Sequence, residues 1–130
     1  MDHLAVIERF KSIYLGDSLL KEFILRIEDA ELCLVFHAGS IVDADNPDIF
    51  SPVAKFKPAR LKFLGVQAIS FEERLYELNS TVIGFDARMA DGSSHVEFLF
   101  ELSGGPDAES FINKIRILAL DFDFGTISTV

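Results

Sequence analysis

The oxygen-rich segment from residue 43 to residue 48 is the part of the sequence that comes closest to a metal-binding loop. Its carboxylates are Asp43, Asp45 and Asp48, and a calcium ion needs several oxygens converging within about 2.5 Å. An EF-hand loop also requires glycine at its sixth position and glutamate at its twelfth, where this sequence has Asp48 and Ala54. The pattern therefore predicts a solvated acidic loop and no metal ion.

Arrangements typical of enzymes are missing from the sequence. The three histidines, His3, His37 and His95, are too far apart in the chain to form a zinc motif. The only cysteine, Cys33, lies in an apolar run and is predicted to be a small buried residue. No nucleophile elbow and no phosphate-binding loop occurs. We predict no catalytic residue and no cofactor; an enzyme stays an alternative if the fold gathers into one pocket Asp43, Asp45, His37 or His95.

Two acidic pairs have spacing that general acid and base catalysis could use. Glu72 and Glu73 are adjacent, and Asp121 and Asp123 share one face of an extended chain. Charges on the wet face of a surface strand explain both pairs without catalysis. We therefore interpret them as solvated side chains.

The net charge of −9, from 12 basic and 21 acidic side chains, indicates the kind of partner. Such a charge repels phosphate backbones and anionic membrane surfaces and favours a basic protein. We expect no nucleic acid and no membrane as partners. The predicted partner-binding residues are Asp43, Asp45, Asp48, Glu72 and Glu73.

The first half of the chain predicts a helix followed by a hairpin. Apolar residues recur at helical spacing over residues 3–14, and Gly16 follows as a helix end. Alternating patterns over 23–28 and 32–37 indicate two paired strands. Residues 39–58, which contain three prolines, predict a long connection.

The second half predicts mainly strands, with one or two helical turns over 107–113 and, as an alternative after residue 69, a short helical turn from Ser70 to Glu73. One strand is expected over 60–71, with a bulge at Gly65, and a hairpin joins 81–89 to 95–102. The run 115–124 predicts a final strand. The expected fold is mainly β (α+β), an antiparallel sheet or sandwich of about six or seven strands with an N-terminal amphipathic helix.

A length of 130 residues with 49% hydrophobic residues and 13 Phe is enough for one core. We expect a single domain over residues 1–130. The apolar residues near the N-terminus are interrupted by Glu8, Arg9 and Lys11, so no export signal is indicated. No apolar run approaches the roughly 18 residues of a membrane span. A cytoplasmic location is therefore expected.

Two short motifs carry a resemblance to a known group of proteins. The segment from Ile13 to Ser18 contains Tyr-Leu-Gly-Asp, and a second motif runs from Leu61 to Val66. In these motifs the chain resembles small bacterial proteins of unknown function, whose relatives look like immunity proteins of polymorphic toxin systems. The resemblance implies a β-rich domain and no catalytic residue.

The leading hypothesis is an acidic, non-enzymatic protein-binding module such as an immunity-type inhibitor of a basic toxin. In such a complex, acidic side chains speed the encounter and aromatic anchors supply affinity. The alternative is a self-associating structural or accessory domain, in which an exposed sheet edge or apolar face pairs with its own copy as a homodimer.

Overall fold

One helix and nine strands make up the part of the chain that the computed structural model describes. The described residues are 3–15, 18–41, 57–71, 81–90, 94–103 and 112–126. Helix α1 spans His3–Lys11, and the strands are β1 Ile13–Tyr14, β2 Leu20–Arg26, β3 Glu31–Ile41, β4 Lys57–Leu64, β5 Ala68–Phe71, β6 Thr81–Met89, β7 Val96–Ser103, β8 Ile112–Ala119 and β9 Asp121–Thr126. The predicted mainly β fold with an N-terminal helix is confirmed, with more strands than expected.

The strands form two antiparallel sheets. In the first, β1 and β2 pair with one side of β3, and β4 and β9 follow on the other side. The second sheet has the order β5, β8, β7, β6. Strict alternation along the central strands, as in β7, turns every second side chain into one shared core.

Two long strands bend to run through both sheets, which corrects the prediction of single strands over 60–71 and 115–124. The first bends at Gly65, which has a φ of 62° and separates β4 from β5. The second bends at Leu120, whose N–H donates to the Leu64 carbonyl at 3.0 Å. Gly65 is therefore a corner between the sheets and no bulge within one strand.

The sheets are also joined on the side away from this corner. Leu19 forms an antiparallel bridge with Thr81 at the start of β6. The N–H of Val82 donates to the carbonyl of Ser18 at 2.8 Å. From this junction onwards β2 and β6 belong to different sheets.

Helix α1 packs against the aromatic core through Phe10. This ring is fully buried, and its centroid lies 5.1 Å from that of Phe98 and 5.5 Å from that of Phe122. The helix ends at Lys11, three residues earlier than predicted, and at this end the hydroxyl and the N–H of Ser12 both donate to the Arg9 carbonyl. The following residues form β1 beside β3.

Both predicted hairpins are present, with one change of length. Strands β6 and β7 pair over their whole length, as expected. Strands β2 and β3 are joined by a turn over residues 27–30, in which Ala30 has a positive φ of 52°. Strand β3 then continues to Ile41, so the expected connection from residue 39 begins later.

Candidate protein-interaction surface

The five residues predicted to bind a partner lie outside the described residues, so their placement stays a prediction. They are Asp43, Asp45, Asp48, Glu72 and Glu73. The same holds for the side chain of His37, so the pocket that an enzyme would need is untested. The described residues contain a different candidate surface, at the edge of the first sheet.

Strand β2 is an edge strand with little cover. Among the described strands it pairs with β3 alone. Only Leu20 of its seven residues is buried, and the other six are exposed. We call the long side of this strand that no other described strand pairs with, over Leu20–Arg26, the β2 edge. Edge strands of this kind present backbone N–H and C=O groups with which another strand can pair.

Apolar side chains on the core-facing side of β2 are left open. In the register of the sheet, Phe23 lies opposite Leu34 and Leu25 lies opposite Leu32. The two leucines of β3 are 1% and 0% exposed, whereas Phe23 and Leu25 are 37% and 44% exposed. These residues face the core layer, but no described strand lies beyond them.

The open apolar surface continues past β2. Ile24 is exposed on the outer side of the strand, and Ile27 in the following turn is 81% exposed. Phe71, at the end of β5, is also exposed, and its ring centroid lies 5.7 Å from that of Phe23. We call this set the apolar edge patch: Phe23, Ile24, Leu25, Ile27 and Phe71. Exposed apolar side chains grouped along one sheet edge are typical of interaction sites.

A basic cleft adjoins the β2 edge on the outer face of the first sheet. Its volume is about 340 Å³, and its cations are Arg26, Arg60 and Lys62. Lys62 forms an ion pair with Glu31 at 3.4 Å. Neither arginine forms an ion pair with another described residue. Within this cleft three cations face one carboxylate, so its charge is opposite in sign to the net charge of the chain.

Cys33 lies in this cleft and is half-buried, which corrects the prediction that it is a core residue. It points to the outer face, opposite Ile24 on β2. Burial raises the pKa of the Cys33 thiol, and the nearby charges of Arg60 and Lys62 only partly offset this effect. The thiol is therefore protonated at neutral pH and is a weak nucleophile.

The outer face of the second sheet carries an ion-pair cluster. Glu97 accepts hydrogen bonds from Arg116 at 2.8 Å and from Arg88 at 3.1 Å. Burial acts to raise the pKa of Glu97, but these hydrogen bonds outweigh it and hold the pKa below its usual value. The carboxylate is fully paired, so the cluster joins strands β6, β7 and β8 and offers no free acid or base.

One member of the acidic pair on the last strand, Asp121, has an ion-pair partner. Asp121 forms an ion pair with Arg9 of helix α1, and the Arg9 guanidinium lies 4.9 Å from the centre of the Phe122 ring. Asp121 and Asp123 lie on the face of β9 opposite that of Phe122, as the alternation predicts. The contacts of Arg9 with Asp121 and Phe122 link helix α1 to strand β9.

The described ranges contain neither a cluster of metal ligands nor a membrane-spanning helix. No three His, Cys, Asp or Glu side chains there lie close enough together to hold a metal ion. Helix α1 has nine residues, and no helix of the described part is long and apolar enough to cross a membrane.

One feature of the sequence, an apolar residue on each face of β2, could have pointed to this surface. Phe23, Leu25 and Ile27 alternate with Ile24 and Arg26, a pattern that predicts one buried face. Ile24 is also apolar, although it lies on the other face of the strand. An edge position could not be inferred from this, because a strand with two apolar faces is also typical of a sheet centre.

Comparison with known proteins gives a fold and no activity. No protein-family model matches the chain, and no curated protein matches it. It is similar to a solved structure, the crystal structure of an uncharacterized protein from Neisseria gonorrhoeae. The match has 11% sequence identity and a TM-score of 0.50, and it covers 88% of this chain and 96% of the other. A likeness at this identity shows a shared fold alone.

Proposed function

We propose that the chain is a non-enzymatic protein-binding module whose contact surface is the β2 edge together with the apolar edge patch. The observation that carries this proposal is the exposure of Phe23 and Leu25 on the core-facing side of a strand that pairs, among the described strands, with β3 alone. An added strand would complete the backbone hydrogen bonds and cover both side chains. This mode of binding combines affinity from the main chain with specificity from side chains.

The features that hinder strand pairing are confined to one end of β2, which supports the same contact surface. Edge strands commonly avoid unwanted pairing through lysines and local register shifts. In β2 both features occur at one place, Lys21, where the register against β3 shifts. The stretch from Glu22 to Arg26 has neither a register shift nor a proline. It is therefore the part of the β2 edge that is open to a partner.

The proposal of a binding role in place of catalysis is supported by the state of the described titratable groups. The Cys33 thiol is protonated at neutral pH because burial raises its pKa. Glu97 is held by two arginines. The basic cleft offers positive charge to an acidic group of a partner beside the β2 edge.

The test compares two lysine substitutions at equally exposed apolar residues. Leu25→Lys places a charge in the apolar edge patch, and Met89→Lys does so in β6 of the other sheet; both native side chains are 44% exposed. Tagged wild-type and variant proteins are used as baits, and captured proteins are quantified by mass spectrometry. We expect Leu25→Lys to lose at least about 90% of a partner that Met89→Lys retains.

Both baits must unfold at similar temperatures for this comparison to count. A partner captured equally by the Leu25→Lys and Met89→Lys baits would show that the β2 edge is not the contact surface.

A second candidate function is an immunity-type inhibitor of a basic toxin, acting in the cytoplasm. The observation that favours it is the net charge of −9, which accelerates encounter with a basic protein. In this version the contacts are made by Asp43, Asp45, Asp48, Glu72 and Glu73.

A further inference from the structure

The stretch from Glu22 to Arg26 is complementary to itself when two copies lie antiparallel. If the two-fold axis passes through Ile24, each Glu22 lies opposite Arg26 of the other copy. Phe23 then lies opposite Leu25, and Ile24 meets its own equivalent. Directly opposed side chains of antiparallel strands are about 4.5–5.5 Å apart at Cβ, close enough for these pairs to interact.

We propose that the β2 edge pairs with the β2 edge of a second copy in this register, joining the two five-stranded sheets into one continuous sheet. This inference rests on the proposed function and names its partner. The charges agree with it, because Glu22 and Arg26 are both exposed on the outer face. Neither forms an ion pair with another described residue.

Other registers of the same pairing are less favourable. A two-fold axis normal to the sheet keeps each residue on its own face, so opposed residues must have numbers of equal parity. An axis through Leu25 sets Glu22 against Glu28 of the other copy, and like charges directly opposite are destabilising. An axis through Phe23 sets Arg26 against Leu20, which leaves the arginine without a carboxylate. The register through Ile24 alone pairs both charges.

The contacts away from the axis also fit a second copy. The exposed inner side chains, Phe23 and Leu25, would cover each other in two symmetric pairs. The register shift at Lys21 limits the regular stretch to five residues, Glu22 to Arg26, and the Ile24 register makes this stretch symmetric about its own centre. Both Glu22–Arg26 pairs then lie at its two ends.

Charge reversal gives a test that depends on this register. Glu22→Arg sets arginine against arginine at both ends of the stretch, and Arg26→Glu sets glutamate against glutamate. Each single variant is expected to raise the dimer Kd at least about tenfold relative to the wild type. The double variant, Glu22→Arg with Arg26→Glu, restores opposite charges and is expected to recover the wild-type Kd within about threefold.

Mixing the two single variants provides a second test. An equimolar mixture of Glu22→Arg and Arg26→Glu contains opposite charges at both ends of the stretch only in the mixed pair. Sedimentation velocity over a concentration series should therefore show dimers in the mixture at concentrations where each variant alone is monomeric. Glu8→Arg and Lys11→Glu, exposed on α1, make the same charge changes elsewhere and should leave the dimer unchanged.

Three results would overturn this inference. One is a wild-type protein that stays monomeric at all concentrations, as expected if another segment of the same chain occupies the edge. The second is a dimer whose Kd the single charge reversals leave unchanged. The third is a loss of the dimer in the single variants that is not recovered in the double variant or in the mixture. If no dimer forms but the Leu25→Lys bait still loses a partner protein, the proposed binding role stands. Only the identification of the partner as a second copy is then wrong.

Discussion

At the scale of single residues, the described ion pairs each join two neighbouring elements of the fold. Glu97 is only 15% exposed, and it is paired with Arg116 on β8 and Arg88 on β6. Most of the stabilisation that Glu97 gives to the fold should come from its ion pair with Arg116. The ion pair with Arg88 is screened by water, because the Arg88 side chain is 66% exposed. Because the pKa of Glu97 is lowered in the folded state, its contribution to stability depends on pH.

We expect Glu97→Gln to lower the free energy of unfolding by about 1–2 kcal/mol at neutral pH, since it removes charge-assisted hydrogen bonds. The contribution of Glu97 is fully present above the ordinary carboxyl pKa of 4.5. It is lost as the pH falls through the lowered pKa of the folded state. Urea unfolding should therefore show a difference from the wild type that shrinks below pH 4.5.

Glu101→Gln is the matched control, because Glu101 lies on the same face of β7 and forms no ion pair with another described residue. A difference for Glu97→Gln that stays constant down to strongly acidic pH would contradict the assignment to ion pairing.

At the scale of elements, the corner at Gly65 is what makes two sheets out of long strands. The residue has a left-handed φ of 62°, which glycine adopts without the steric cost that a Cβ imposes. A Cβ built at Gly65 would lie 2.7 Å from Leu120 Cδ1, at the corner of the other bent strand. The two corners therefore pack closely because one of them lacks a side chain.

Gly65→Ala should lower the free energy of unfolding by about 2 kcal/mol or more, from left-handed backbone strain and contact with Leu120. Gly125→Ala is the control, because the nearest atom to a new Cβ there is Arg60 Nη2 at 3.8 Å. We expect the control to change stability by less than about 0.5 kcal/mol. Equal losses in urea unfolding would show that the corner does not depend on glycine.

At the scale of the whole molecule, net charge and local charge differ in sign. The chain carries a net charge of −9, yet the cleft beside the β2 edge contains three cations and one carboxylate. A basic partner would therefore be attracted by the molecule as a whole but not by this cleft. The two candidate functions thus use different surfaces and respond differently to salt.

If the chain is an inhibitor of a basic protein, replacing Asp43, Asp45 and Asp48 with Asn should slow association by roughly threefold to tenfold at low salt. Folding stability should change by less than about 0.5 kcal/mol. The partner is first captured from lysate at low and moderate salt, and association rates are then measured with the purified partner. A basic protein whose capture falls as salt rises is the expected result.

A control with the same loss of charge separates local from global effects. Glu8→Gln, Glu28→Gln and Asp123→Asn are changes at exposed described residues. If this control slows association as much as the Asp43, Asp45 and Asp48 changes do, net charge alone acts and those three residues are not the contact. An unchanged rate in both would contradict the inhibitor hypothesis.

Local patterns were enough to predict most elements of the fold. The helix around Phe10 and the hairpin of β6 and β7 follow from periodicity and turn residues, which act between near neighbours in the chain. The same alternation predicted which side of β9 carries Asp121 and which carries Phe122. The pattern predicts a bulge at Gly65 where the structure has a corner, because sequence alone does not tell whether a strand bends within a sheet or between sheets.

The candidate surface could not be predicted in the same way. The alternation of Phe23 and Leu25 is that of a half-buried strand, and their exposure depends on which strands lie beside β2. Strand neighbours are set by contacts between distant segments, such as the bridge from Leu19 to Thr81.

The sequence by itself determined the β-rich class, the helix, the turns and the acidic net charge, because composition and short-range sterics act residue by residue. The tertiary structure alone decided that β2 is an edge, that Cys33 faces outward among cations, and that Glu97 is held by two arginines. Each of these depends on long-range pairing, which brings together side chains whose separation in the chain carries no local signal.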